Sequence, residues 1–130
     1  MHHRLYCHVV WTTRERLPLI DHDRALFLRR YLPSIAREER AAVLALGIVS
    51  THVHVLARVH PACQIARLLQ RWKGGSTFVC RRDGVGNAGA PLRWAKGYSV
   101  ITVGPRALPR AYAYLAAQPR RHPDEAIAPS

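Results

Sequence analysis

The stretch Val49-Ser50-Thr51-His52-Val53-His54-Val55-Leu56-Ala57-Arg58-Val59 constrains this chain most. It is an apolar, β-branched run interrupted by two histidines one residue apart. In a strand successive side chains alternate faces, so His52 and His54 point the same way, with Cα atoms roughly 6.5–7 Å apart. Val49, Thr51, Val53, Val55, Ala57 and Val59 face the other way and read as the buried side of a sheet. One strand therefore supplies a core face and a working face, and two imidazoles on the working face can share a metal ion.

Around this strand the chain divides into regular pieces. Leu5 to Thr13 alternates Leu5, Cys7, Val9 and Trp11 against Tyr6, His8, Val10 and Thr12, a strand signature. Asp21 or Asp23 can cap a following helix, whose apolar spacing (Leu26, Phe27, Tyr31, Ile35, Ala36) runs to about Arg40. Pro33 inside it predicts a kink or a break into two pieces. Ala42 to Ile48 is a second strand. Either it continues into the histidine segment with a bend near Gly47, or two antiparallel strands meet in a tight turn around Ser50-Thr51; the second option is preferred.

A helix follows from about Cys63 to Trp72, and Lys73-Gly74-Gly75-Ser76-Thr77 reads as a flexible joint. Gly74-Gly75 is no phosphate loop, because the Gly-Lys-Ser/Thr ending is absent. Asp83 to Pro91 is glycine-rich and expected to be a mobile loop. Leu92 to Val103 returns to strand character. A last helix spans about Ala107 to Gln118, and Arg120 to Ser130 is expected to fray. The order is β-α-β-β-α-β plus a terminal helix. The expected fold is α+β and ferredoxin/RRM-like: a four-stranded antiparallel sheet with helices on one face and the histidines on the other. Residues 1–122 form the expected domain and 123–130 a C-terminal tail.

Charge narrows the partner. The 130 residues carry 20 Lys+Arg against 8 Asp+Glu, a formal net charge of +12, which predicts a polyanionic partner. No apolar run approaches the roughly 20 residues that span a bilayer, and Met1-His2-His3-Arg4 leads into a strand, so nucleic acid is favoured over membrane. Arg14, Arg16, Arg58, Arg71, Lys73, Arg81, Arg82 and Arg93 are the candidate phosphate contacts, with Tyr6, Trp94 and Tyr98 available to stack on unpaired bases. Cys7, Cys63 and Cys80 are odd in number and widely spaced, and read as apolar fillers in a reducing cytoplasm. A competing zinc centre from His52, His54, His60 and Cys63 carries low weight, because Pro61 turns the chain away.

In the last helix Tyr114 and Gln118 are one turn apart and share a face. Tyr112 falls with Leu108 and Leu115 on another and reads as a packing residue. Tyr6-x-His8-Val9-Val10-Trp11-Thr12-Thr13, His52-Val53-His54-Val55-Leu56, Lys73-Gly74, Gly97-Tyr98-Ser99-Val100 and Tyr114-Leu115-x-x-Gln118 follow one another in an order that resembles the IS200/IS605-type single-tyrosine (HUH) transposases. The likeness runs from Tyr6 to about His122.

That resemblance implies that His52 and His54 are paired metal ligands, that Gln118 completes the metal site and that Tyr114 is the nucleophile. It implies a divalent metal, Mg²⁺ or Mn²⁺. It implies a homodimer in which the tyrosine helix can serve the partner's histidines. The implied substrate is single-stranded DNA marked by hairpins, nicked and rejoined in a bacterial or archaeal cytoplasm, close to the nucleoid. Two departures stand out: Gly74-Gly75-Ser76 has an extra small residue, and Pro119-Arg120-Arg121-His122 follows Gln118, leaving His122 as the only candidate for a helper histidine. The alternative from another class is a non-catalytic or domesticated basic module that binds single strands or hairpins.

Overall fold

The computed structural model describes residues 5–87 and 89–127. The expectations for Met1 to Arg4 and for the last three residues of the tail lie outside the described residues. Eight-residue strands β1 (Leu5–Thr12), β2 (Ala41–Ile48) and β3 (His52–Val59) and the shorter β4 (Ser99–Val103) form an antiparallel sheet of order β2-β3-β1-β4. The fold class is the expected α+β one. β2 and β3 are separate strands joined by a tight turn, closed by the Val49 amide donating to the His52 carbonyl at 3.1 Å.

Alternation sorts the sheet into two faces. Cys7, Val9 and Trp11 of β1 and Val53, Val55 and Ala57 of β3 are buried with Leu28, Leu32, Ile35 and Ala36 of α1 (His22–Glu38) and with Leu68, Leu69 and Trp72. Trp11 stacks on Trp72 at 5.7 Å between ring centroids and meets Trp94 edge-on at 5.8 Å. Asp21, not Asp23, caps α1, accepting from the Arg24 amide at 2.9 Å. Pro33 does not divide this helix: it removes one backbone donor, and the core contacts of Leu28, Leu32 and Ile35 on both sides hold the helix continuous.

The glycine joint is also ordered. α2 (Ile65–Gln70) passes through a π-helical turn, Arg71–Gly75, into α3 (Ser76–Arg82). Gly75 sits against the Tyr31 hydroxyl, where a Cβ has no room, and the Lys73 ammonium donates to the carbonyls of Ala95 and Gly97, each at 2.8 Å. Gly75 therefore serves close packing and not freedom, while Gly74 has open space where a Cβ would stand. The glycine loop is tied at its start, where Arg24 donates to the Val85 carbonyl and the Asn87 amide donates to Asp21 at 2.6 Å. Beyond it, Leu92 to Tyr98 is not a strand apart from one bridge, Thr13 to Trp94. Gly97 at φ +84° turns the chain before β4 begins.

The second face of the sheet is not left open. α4 (Leu108–Ala116) and α5 (Gln118–Arg121) lie across β2 and β3. Leu56 on the histidine face and Leu115 of α4 are fully buried there, outside the main core. Gly47, paired with His54, makes this possible: a Cβ on it would stand 2.7 Å from the Leu115 carbonyl oxygen. Tyr112, expected to pack, is 41 % exposed, because the helix turns Leu115 and not Tyr112 toward the sheet. The segment expected to fray is docked. Pro123–Glu125 forms a short 3-10 turn, the Ser50 amide donates to the Glu125 carbonyl at 2.7 Å, and Ile127 packs against the core.

Candidate active site

β1 and β3 present His8, His52 and His54 on the face covered by α4 and α5, since Thr12 opposes His52 and Val10 opposes His54. His52 and His54 are buried, with ring centroids 4.9 Å apart. Gln118, at the start of α5, has no exposed surface. Its Nε2 donates to the Tyr114 carbonyl at 3.3 Å, which turns Oε1 toward His52 Nε2 at 3.2 Å. Tyr114 is half-buried, its ring 5.6 Å from that of His54 and 5.8 Å from that of His8, with the Arg121 guanidinium 4.8 Å over its face. The two imidazoles, the carboxamide and the phenol that sequence reasoning singled out thus meet within one chain.

Three further residues complete the cluster. His8 shares a 2.9 Å hydrogen bond between its Nε2 and Nδ1 of His54, and the rings stack at 5.1 Å. His122 packs edge-on against His52 at 5.1 Å. Glu125 places Oε2 3.4 Å from His52 Nδ1 and 3.8 Å from His122 Nδ1, while Oε1 accepts from Arg16 at 3.0 Å. His8 could have been found from the strand alternation, which puts it on the His54 face. Glu125 carried no signal, because only the docking of the C-terminal turn on Ser50 brings it here.

Electrostatics keep the imidazoles neutral. Burial pushes His54 down to about 3, helped by the neighbouring His52, His8 and His122. Burial also lowers His52, against the opposing pull of Gln118 and Glu125, and lowers His8. Burial raises the Glu125 carboxyl, but Arg16, Thr51 and His52 outweigh it and the group lies below its ordinary value. Neutral imidazoles, which can each present one ring lone pair, together with an amide oxygen are a donor set that suits a divalent cation with positions open for other oxygens. The orphaned Oε2 of Glu125, buried with no hydrogen-bond partner, fits the same reading, because metal-ligating histidines commonly give their second ring N–H to a carboxylate. Among the described residues no group of three or more His, Cys, Asp or Glu side chains is placed to hold a metal ion by itself. The competing zinc set is not assembled: His60 lies beyond the far end of β3, about 20 Å along the strand from His54, and Cys63 packs against the main core on the other side of the sheet.

Beside Tyr114 lies a largely apolar groove of about 490 Å³, lined among others by His8, His54, Ile101, Val103 and Arg110. A second groove of about 480 Å³ gathers Arg14, Lys73, Arg81, Arg93, Lys96 and Trp94. Half of the predicted phosphate contacts converge there. The others are placed elsewhere: Arg16 pairs with Glu125, Arg71 with Glu38 and Glu39, and Arg82 with Asp83, while Arg58 is exposed near the far end of β3.

The family described as transposase, IS200-like, matches residues 1–118. The chain belongs to that family. Its role is accordingly that of a transposase. In fold it is similar to a protein from Deinococcus radiodurans R1 described as a candidate transposase (23 % identity, TM-score 0.68, covering 91 % of this chain and 93 % of that one). It is also similar to a REP-associated tyrosine transposase bound to a REP hairpin (14 % identity, TM-score 0.70, covering 94 % of this chain and 70 % of that one). No curated sequence matches significantly. No helix among the described residues of this IS200-like transposase is long and apolar enough to cross a membrane.

Proposed function

We propose that the chain nicks and rejoins hairpin-marked single-stranded DNA through a covalent bond to Tyr114, with His52, His54 and Gln118 holding Mg²⁺ or Mn²⁺. The observation that carries this reading is the placement of the Tyr114 phenol beside His54 while Gln118, one turn on, faces His52. When bound, the cation supplies Lewis-acid polarisation of the scissile phosphate. The chain's own residues do the rest. α4 holds the phenol in the groove that the DNA enters, and Arg121, against the ring, meets the phosphate charge. The phenol oxygen attacks phosphorus and loses its proton to solvent. The bond from phosphorus to the 3′ oxygen breaks, and that oxygen takes up a proton, leaving a 5′-phosphotyrosine and a free 3′-OH. Attack of another 3′-OH on the phosphotyrosine reverses the step and joins strands, conserving the bond energy that hydrolysis dissipates.

The basic groove is read as the seat of the hairpin stem, its five cations neutralising phosphates and Trp94 lying at its wall. The exposed edge strand β4, with Val100 and Ile101 uncovered next to Tyr98, supports pairing of two copies into a homodimer. The enzyme acts in the cytoplasm, where its DNA is.

Incubation with hairpin-bearing single-stranded DNA and Mn²⁺ tests the reading. A denaturation-resistant adduct forms with wild type and with Tyr112→Phe, and not with Tyr114→Phe. Tight binding to the hairpin without any adduct favours the non-catalytic binding module.

A further inference from the structure

Resting on the metal reading above, the geometry assigns Glu125 as a positioning residue: its carboxylate selects the Nδ1–H tautomer of His52 and so frees the Nε2 lone pair for the cation. In the structure Gln118 Oε1 faces His52 Nε2 at 3.2 Å, and the amide cannot be reversed without losing its bond to the Tyr114 carbonyl. An amide oxygen only accepts, so Nε2 carries the proton here. Nδ1 is then an acceptor for the Thr51 hydroxyl at 3.0 Å. In that tautomer Glu125 Oε2, buried and 3.4 Å from Nδ1, receives no proton from the ring.

A buried carboxylate oxygen set beside a ring nitrogen that lends it no proton is costly and calls for a reason. A cation at Nε2 needs that lone pair, and a neutral imidazole keeps its single proton by carrying it at Nδ1. Nδ1–H then has an acceptor already in place. The proton count of the ring is unchanged; only its position moves, by exchange with solvent. Three contacts hold the carboxylate ready: Arg16 on Oε1, the Ser50 amide on the Glu125 carbonyl, and the 3-10 turn that follows α5. The same turn carries His122 to the edge of His52.

The test is metal uptake by the full chain without DNA, read as loss of the free Mn²⁺ electron paramagnetic resonance signal. Histidine tautomers are read in parallel from ¹⁵N-histidine spectra with Mg²⁺. Glu125→Ala binds Mn²⁺ about tenfold or more weakly, within the range for lost partners of ligating histidines, and Glu125→Gln falls between it and wild type. Glu125→Gln preserves the shape of the docked turn and so separates the charge from the strap. With Mg²⁺, His52 of the wild type moves to the Nδ1–H tautomer, and Glu125→Ala requires more Mg²⁺ for the same change. Wild-type uptake with unchanged affinity in both Glu125 variants overturns this inference alone. A wild-type titration as flat as that of His52→Ala overturns the metal reading and the inference together.

Discussion

Gly47 of β2 and Leu115 of α4 are locked in backbone contact: a side chain on Gly47 would drive its Cβ to 2.7 Å from the Leu115 carbonyl oxygen and 3.1 Å from Gln118 Cγ. That approach is what lets the tyrosine helix settle over the chain's own histidines. Gly47→Val lifts α4, at a cost of about 1–3 kcal/mol for overpacking. The expected result is a lower melting temperature together with loss of the DNA adduct. A variant that melts lower but forms adduct at the wild-type rate contradicts the view that α4 must sit at this height.

Gln118 is the least replaceable polar group of the site, because it bonds both His52 and the Tyr114 carbonyl from full burial. Gln118→Leu fills the space but leaves His52 Nε2 without its acceptor, costing about 1–3 kcal/mol. Chemical denaturation reads that loss, and Mn²⁺ uptake falls with it. Unchanged uptake in Gln118→Leu removes the amide from the ligand set.

The metal-free protein depends on pH through the same rings. Burial lowers His8, His52 and His54, the last to about 3, so the folded chain binds fewer protons than the unfolded one below the ordinary histidine value of about 6.5. Stability is fully present above that value and falls as pH drops toward about 3, by at most about 1.4 kcal/mol per pH unit for each ring. Urea unfolding in the presence of chelator, compared at about pH 7.5 and about pH 5, shows the decline, and His54→Leu makes it shallower. A flat profile contradicts the burial of neutral imidazoles.

The cations sort by what they already hold. Arg14, Arg81 and Arg93 line the basic groove with no carboxylate among its walls. Each changed to alanine weakens hairpin binding and reduces the salt dependence of binding by about one phosphate contact. Arg82, bound to Asp83, and Arg71, forked between Glu38 and Glu39, change binding little on replacement. Equal losses at Arg82 and Arg93 would place the DNA elsewhere.

The strands that form the site were legible, because period-two alternation fixes which side chains share a face, and this puts His52 and His54 together from the sequence alone. Tyr114 and Gln118 were expected on one face of a single helix; the structure breaks that helix at Ala117, so Tyr114 lies in α4 and Gln118 opens α5, and the Gln118 amide donates back to the Tyr114 carbonyl. Long-range docking was not legible. Nothing local in Pro123-Asp124-Glu125 announces a turn that hydrogen-bonds to Ser50, and nothing in the terminal helix announces that its backbone packs onto Gly47. Lys73-Gly74-Gly75 misled in the same way: the pair reads as freedom until Tyr31 is seen to fill the space a side chain at Gly75 needs. Pro33 failed to break its helix because packing on the sheet outweighs one missing hydrogen bond.

The most direct measurement is peptide mapping by mass spectrometry of the protein–DNA adduct formed with a hairpin substrate and Mn²⁺. A 5′-phosphonucleotide on Tyr114, within the peptide that contains Leu115 and Gln118, is the predicted result. An adduct mapped to Tyr112, or to any residue away from the His52 and His54 face, contradicts the assignment.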